Sequence, residues 1–532
     1  MLTAPVLLGL TLRLWNLRAQ ILGGDELHLV RAILRWPVRK ILITYGFADS
    51  SIPLTALYRW LLDAGVVFSE IDFRLPALVC GGLALIVFPG SFARLERPRD
   101  GPWLAIYGWL VAISPALVLY SRIARSYLPM MLCGFCAVLA FEAWWRTRAW
   151  RLAALYVGLG ALASWIHLGA ATFVTAPFLF AAGDLVLRRE DWRRRSRDLV
   201  VAGLALTVAF AAFLLPARRS LLELVAAKRV EQSVGLSTLG GALQLDAGTA
   251  SIVVAILFWI VAVGGLILFL RDHRRLGIFL LTVCLGHAAG TALLSPKGLS
   301  HVVILHRYLL PTLPLLLLWV AYGLGRLWGG PAAGAARRLA RRGAVLLFLA
   351  LLLGTSPFLL PGSWRSSFLH HNHFVQFNLP RVELRGDDIP ALYHQLPPGP
   401  VLEFPWPTTW EMARSFYAYQ ALHGQRVLVS APYDMPRHPQ IRFRNEVLPE
   451  PEAILRSPAR TLIVHLSLVR EEQAAQAPGR PERPGKIRHR RAYRQAGLAM
   501  AGLLTRAWGP PDFADGRVRA WDLDRVRKRA TR

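Results

Sequence analysis

The chain has 532 residues, 54% of them hydrophobic and only 18% charged, with a mean hydropathy of +0.38. That is too apolar for a soluble globule of this length, which excludes a soluble enzyme and requires a polytopic membrane protein. The formal net charge of +29 calls for no nucleic acid, because much of it falls in short connections between apolar runs, where anionic headgroups attract Lys and Arg.

The first apolar run, residues 1–17, has no basic stretch before it, carries Arg13 within it and has no small-residue cleavage site after it. It reads as a retained span and not as a signal peptide. Just past it stands Gly23-Gly24-Asp25-Glu26-Leu27-His28. Two carboxylates at the lip of a span are costly and ask for a purpose. One purpose is structural: Leu27, Val30, Ile33 and Leu34 form the stripe of an interfacial amphipathic helix, which Asp25 can cap while Glu26 complements its dipole. Capping and catalysis are compatible at Asp25.

Further runs near the roughly 20 residues that span a bilayer follow at residues 73–93, 102–120, 127–145, 151–167, 168–187, 199–217, 250–270, 276–294, 307–324 and 343–360, making about eleven helices in all. With a cytoplasmic N-terminus, the inner connections hold Arg94, Arg97 and Arg99; Arg146, Arg148 and Arg151; Arg188, Arg189, Arg193, Arg194, Arg195 and Arg197; Arg271, Arg274 and Arg275; and Arg337, Arg338, Arg341 and Arg342. This is a positive-inside pattern. The outer turns near residues 120–126, 167 and 295–305 carry fewer charges, so those they do carry are candidates for function. An odd number of spans places Asp25, and everything after Pro361, outside the cytoplasm.

Cys80, Cys133, Cys136 and Cys284 all fall within expected spans, so no disulfide framework is implied, and the i,i+3 pair Cys133 and Cys136 reads as packing. After Pro361 the apolar runs shorten and Pro and Gly separate them. Residues 401–404, 426–429, 462–466 and 518–521 read as strands, 410–422 and 471–476 as helices, and 478–490 as a Pro/Arg-rich mobile loop. The basic run Arg480–Arg494 then faces solvent or headgroups, and His370-His371-Asn372-His373 reads as surface histidines and not a metal site.

Leu12-Arg13-Leu14-Trp15-Asn16-Leu17 followed by Asp25-Glu26 resembles the opening of the GT-C glycosyltransferases, in the branch of protein O-mannosyltransferases and aminoarabinose transferases. Ser51-Ile52-Pro53-Leu54 and Phe73-Arg74-Leu75-Pro76 are similar to the end of that family's first outer loop and the entry to its second helix. Ser114-Pro115 with Tyr120-Ser121-Arg122-Ile123-Ala124-Arg125-Ser126-Tyr127 resembles its turn between helices three and four, and Arg307-Tyr308-Leu309-Leu310-Pro311 its segment after a late outer loop. The likeness covers residues 10–320; the tail matches only in kind.

The resemblance implies a GT-C transmembrane domain over residues 1–360, with a first outer loop over 18–72, and an extracytoplasmic α/β domain over 361–532, set in the cell (inner) membrane. It implies transfer of a sugar from a polyprenyl-phosphate donor to a lipid, glycan or protein acceptor at the outer face. No cofactor is required, and whether a divalent metal assists Asp25 stays open. Such a reaction needs a base for the acceptor hydroxyl and positive charge for the departing phosphate. Asp25, with Glu26 beside it, suits the first and supports inversion at the anomeric carbon. Arg122, Arg125, Tyr127, His167, Lys297, Arg307 and Tyr308, all near expected outer helix ends, suit the second and the binding of substrate. Each also has a plainer reading: Arg122 and Arg125 as headgroup anchors, His167 as a packed polar residue, Lys297 as part of a Ser-Pro-Lys-Gly turn. The alternative for the whole chain is a lipid-linked sugar transporter or a non-catalytic glycolipid-binding scaffold. A transporter should show inverted hydropathy repeats with polar groups at the midplane, whereas here the ionisable groups gather at one face.

Overall fold

The computed structural model describes residues 2–22, 24–45, 51–95, 102–187, 191–228, 234–296, 298–329, 334–358, 389–406, 419, 423, 425–429, 438–443, 445–467 and 484–531. They fall into two compact units. One comprises Met1–Leu14, Arg35–Leu61 and Arg74–Ser356, the other Trp15–Leu34, Leu62–Phe73 and Pro357–Arg532. The unit break at Ser356 lies close to the expected division at residue 360, and two pieces of the expected first outer loop belong with the C-terminal unit.

The first unit is helical. It contains α1 (Thr3–Leu14) and, after α2 (Leu27–Arg35) of the other unit, α3 (Val38–Leu42), α4 (Ile52–Asp63), α5 (Glu70–Ser91), α6 (Trp103–Ile113), α7 (Pro115–Ser121), α8 (Tyr127–Thr147), α9 (Trp150–Ile166), α10 (Ala170–Thr175) and α11 (Pro177–Leu187). There follow α12 (Trp192–Leu214), α13 (Arg218–Lys228), α14 (Leu236–Ala247), α15 (Ile252–Asp272), α16 (Arg274–Leu294), α17 (Val302–Leu309), α18 (Leu313–Gly329) and α19 (Ala335–Gly354). Over its described residues each expected apolar run falls mainly on one helix or on two consecutive ones, which satisfies its backbone groups where no water is present.

Among the described residues seven helices are long and apolar enough to cross a membrane: Glu70–Leu95, Tyr127–Thr147, Ala170–Leu187, Trp192–Leu214, Ile252–Asp272, Arg274–Leu294 and Val302–Gly329. The pair α6 and α7 passes that test only together and is bent by 52°. Three of the expected runs fall short for visible reasons. Helices α1 and α9 have 12 and 17 residues, and α19 carries Arg337, Arg338, Arg341 and Arg342 near its start. Helices α3, α4, α13 and α14 lie between the expected spans and add to the elements expected from the sequence.

The α6–α7 bend explains the arginine in the first apolar run. Pro115 has no N–H, so the Val111 carbonyl four residues before it loses its helical partner. Arg13, fully buried, donates from Nη2 to Val111 O at 3.3 Å, from Nη1 to Ala112 O at 3.3 Å and Gly9 O at 2.9 Å, and from Nε to Ser121 Oγ at 3.1 Å. Helices α15 and α18 approach backbone to backbone at Gly265, where a Cβ would overlap the Trp319 carbonyl.

The second unit holds a five-stranded sheet in the order β2-β1-β3-β5-β4, with β1 Val401–Phe404, β2 Val427–Val429, β3 Thr461–His465, β4 Phe513–Ala514 and β5 Val518–Asp522. Strands β2, β1 and β3 run parallel, and β5 pairs antiparallel with both β3 and β4. Leu402, Leu462, Val464 and Trp521 pack with Met500, Ala501 and Leu504 of the helix Pro484–Trp508. Each expected strand is present; β4 is an addition. The loop expected over 478–490 needs correction from residue 484 onward, because Pro484 opens a helix, a position where its missing N–H costs nothing. The expected helix at 471–476 and the histidines at 370, 371 and 373 lie outside the described residues, as does 410–422 apart from Tyr419, which is helical, and His423 beyond it. Residues from the first loop join this unit through Phe68, which donates to Gln440 O at 2.7 Å and accepts from Arg442 N at 2.8 Å.

Candidate functional site

Two breaks in helical backbone supply the side chains of the candidate site in the first unit. The turn between α7 and α8 carries Arg122 and Arg125 and leads into Tyr127, the first residue of α8. Pro311 stops α17, so His306, Arg307 and Tyr308 occupy its last turn, where positive charge suits the helix dipole. The guanidinium carbons of Arg125 and Arg307 each lie 5.7 Å from the centre of the Tyr127 ring. A single cation over an aromatic face gains on the order of 0.5–2 kcal/mol, but two cations on one ring also repel each other. An anion within reach of both guanidinium groups would offset that repulsion.

The surroundings are aromatic. His167 lies 5.4 Å from the Tyr127 ring and 6.3 Å from that of Tyr308. Its Nδ1 accepts from Gly169 N at 3.1 Å, which closes the α9–α10 turn and leaves Nε2 to carry the proton of a neutral ring. Tyr120 meets Tyr127 edge-on at 5.0 Å and stacks on His306 at 6.0 Å, and Arg307 stands close enough to its hydroxyl to interact electrostatically. Tyr127 is 4% and Arg125 8% exposed, while Arg307, Tyr308 and His167 are half-buried. The structure thus brings five of the nine expected residues together: Arg125, Tyr127, His167, Arg307 and Tyr308.

The remaining four are placed differently. Arg122 is fully buried and donates from Nη1 to Leu12 O at 2.8 Å and Arg13 O at 3.1 Å, closing the C-terminal end of α1. Burial pushes its guanidinium below the usual range, and the Arg74 and Arg13 cations add to that. Lys297 lies outside the described residues. Asp25 and Glu26 belong to the other unit, in a short 3-10 turn, Gly24–Glu26, ahead of α2, which buries Leu27, Leu29, Val30, Ala32 and Ile33. Asp25 is half-buried and Glu26 fully buried.

Sequence reasoning missed two buried polar groups. In the first unit Asp246 Oδ1 lies 2.7 Å from His306 Nδ1. In the second, Glu403 of β1 is 1% exposed. The Tyr393 hydroxyl donates to its Oε1 at 3.2 Å, His465 Nε2 of β3 stands 3.4 Å from Oε2, and His423 Nε2 stands 3.9 Å from Oε1. Burial alone would raise the Glu403 carboxyl, but His423 and His465 outweigh it and hold it below the ordinary glutamate value. The same burial, with the Glu403 charge, pushes the Tyr393 hydroxyl well up. A charged residue inside an apolar strand was the available signal for Glu403. Among the described residues no three His, Cys, Asp or Glu side chains stand where they could hold a metal ion. In comparison with known proteins, no family model and no curated sequence matches this chain.

Proposed function

We propose that this chain is an integral membrane glycosyltransferase of GT-C type, with about eleven spans, that transfers a sugar from a polyprenyl-phosphate donor to a lipid, glycan or protein acceptor at the outer face of the membrane. The observation that supports it is the meeting of Arg125 and Arg307, from distant parts of the sequence, on the ring of Tyr127. As the bond from the anomeric carbon to phosphate oxygen breaks, negative charge grows on the phosphate. Preorganised guanidinium groups in a half-buried, aromatic setting stabilise that charge more than they stabilise the bound donor. His167 and Tyr308 add hydrogen-bonding groups at the rim. Arg122 leaves the phosphate-binding set, since it closes α1; Lys297 stays in it on the sequence resemblance. Asp25 is the acceptor's base on that resemblance too, attacking geometry and inversion included, and the reading requires no cofactor.

The test uses purified full-length protein in lipid nanodiscs, with undecaprenyl phosphate as the probe. Wild type should retain it, and Arg307→Ala should lose binding by tenfold or more at unchanged thermal stability. Arg307→Lys should still be impaired, because a point charge does not copy the guanidinium fork. Equal binding by all three proteins would sink the proposal and favour the scaffold or transporter alternative.

A further inference from the structure

The buried pair Asp246 and His306 has no part in the reaction as described, and it breaks two local rules. A carboxylate in the last turn of a helix opposes the helix dipole, and Asp246 is the penultimate residue of α14. An acidic group 7% exposed among apolar helices is also expensive unless it is paired. Sites that violate local preference are where function is to be sought.

Asp246 is held firmly. Gly248 closes α14 in a left-handed conformation, φ +70°, donating to Gln244 O and Leu245 O at 3.1 Å, and it lies so near Pro115, the first residue of α7, that a side chain there would collide with the proline ring. Gln244 Nε2 donates to Ala250 O at 2.7 Å, and the Thr249 and Thr355 hydroxyls lie 2.6 Å apart. The carboxylate is therefore fixed relative to α7, the helix that carries Tyr120. From it a continuous series of contacts runs to the cations: Asp246 to His306 at 2.7 Å, His306 stacked on Tyr120 with 27° between planes, Tyr120 edge-on to Tyr127, and the Tyr127 ring centre 5.7 Å from the guanidinium carbons of both Arg125 and Arg307. His306 and Tyr120 are fully buried, so neither ring has room to reorient alone.

We propose that Asp246 and His306 are positioning residues for the anion site: Asp246 fixes the His306 ring by hydrogen bonding, His306 fixes Tyr120, and Tyr120 with Tyr127 holds Arg307 and Arg125 at the spacing that grips a polyprenyl phosphate. This rests on the reading of Arg125 and Arg307 as a phosphate site. Neither positioning residue touches the ligand.

The experiment measures undecaprenyl phosphate and undecaprenol binding to full-length protein in nanodiscs, with thermal stability followed in parallel. Asp246→Ala should weaken undecaprenyl phosphate binding about tenfold and leave undecaprenol binding unchanged. Asp246→Asn keeps an oxygen to accept from His306 Nδ1 and should restore binding to within about twofold of wild type. In the His306→Ala background, Arg307→Lys should add little further loss, because the fork it removes is already misplaced. Loss in Asp246→Asn as large as in Asp246→Ala, or fully additive effects of His306→Ala and Arg307→Lys, would overturn the positioning role. If Arg307→Ala itself leaves binding intact, it is the phosphate-site reading that fails. Should Asp246→Ala not fold, Asp246→Asn and the double-variant comparison decide the question alone.

Discussion

At the scale of single residues, burial separates two neighbours that the sequence presents as a pair. Asp25 is half-buried, whereas Glu26 is fully buried. A proton acceptor must reach its substrate, and a buried carboxylate with partners is a packing element. Asp25→Asn should therefore abolish transfer with little effect on stability, because the amide keeps the side chain's shape and loses the base. Glu26→Gln should act in the opposite sense, costing stability on the order of 1–3 kcal/mol because it changes a fully buried polar group, while turnover per folded molecule stays near wild type. Single-turnover assays alongside denaturation curves measure both. Near-normal transfer by Asp25→Asn would return that residue to the capping role.

At the scale of elements, what was legible in the sequence was the part written in periodicity. The apolar runs became helices because a run of apolar side chains without water has no other way to satisfy its backbone, and residues 401–404 and 462–466 became β1 and β3 because both faces are buried. Positions set by partners distant in sequence were not legible. Arg122 carries the same side chain as Arg125, three residues away, yet only the placement of the α1 carbonyls tells that one closes a helix while the other lies over Tyr127. The pairing of Asp246 with His306, 60 residues apart, is invisible in the same way. Glu403 makes an element-scale prediction. Its carboxyl is held below the ordinary 4.5 by His423 and His465 against the opposing effect of burial. A depressed carboxyl contributes stability that is fully present above the unfolded-state value and is lost as pH falls through the folded-state value. Protection factors at β1 and β3, which remove the intrinsic pH dependence of exchange, should thus hold from pH 7 to about 5 and fall below about pH 4.5. Glu403→Gln should show lower protection already at pH 7, since altering the buried acceptor of the Tyr393 hydroxyl costs about 1–3 kcal/mol, and should lack the acid-dependent step. An identical pH response in wild type and Glu403→Gln would show that other groups control this sheet.

At the scale of the whole chain, the order of the helices and the placement of arginine make a single argument about sidedness. Taking α1, α5, α6 with α7, α8, α9, α10 with α11, α12, α15, α16, α17 with α18, and α19 as eleven crossings, the helix-end arginines Arg94, Arg146, Arg148, Arg193, Arg194, Arg195, Arg271, Arg274, Arg337 and Arg338 all fall at alternate connections. The candidate residues Arg125, Tyr127, His167, Arg307 and Tyr308 fall at the other set. The connection between α1 and α5, with Arg18, Arg31, Arg35, Arg39, Lys40 and Arg59, departs from the charge bias, as do Arg218, Arg219 and Lys228 of α13; the bias is a majority rule and not a strict one. Seven of these crossings are long and apolar enough to span, five as single helices and two as the consecutive pairs α10 with α11 and α17 with α18; α1, α9, α19 and the bent pair carry the remaining parity of the argument. If all eleven cross, the chain leaves the last crossing on the side opposite the basic connections. A reporter that is active only in the cytoplasm, fused after Arg532, should give no signal, while the same reporter inserted between Arg193 and Arg194 should be active. A signal from the C-terminal fusion would mean an even number of crossings, and the first helix to doubt would be α19, whose four arginines at residues 337–342 oppose insertion.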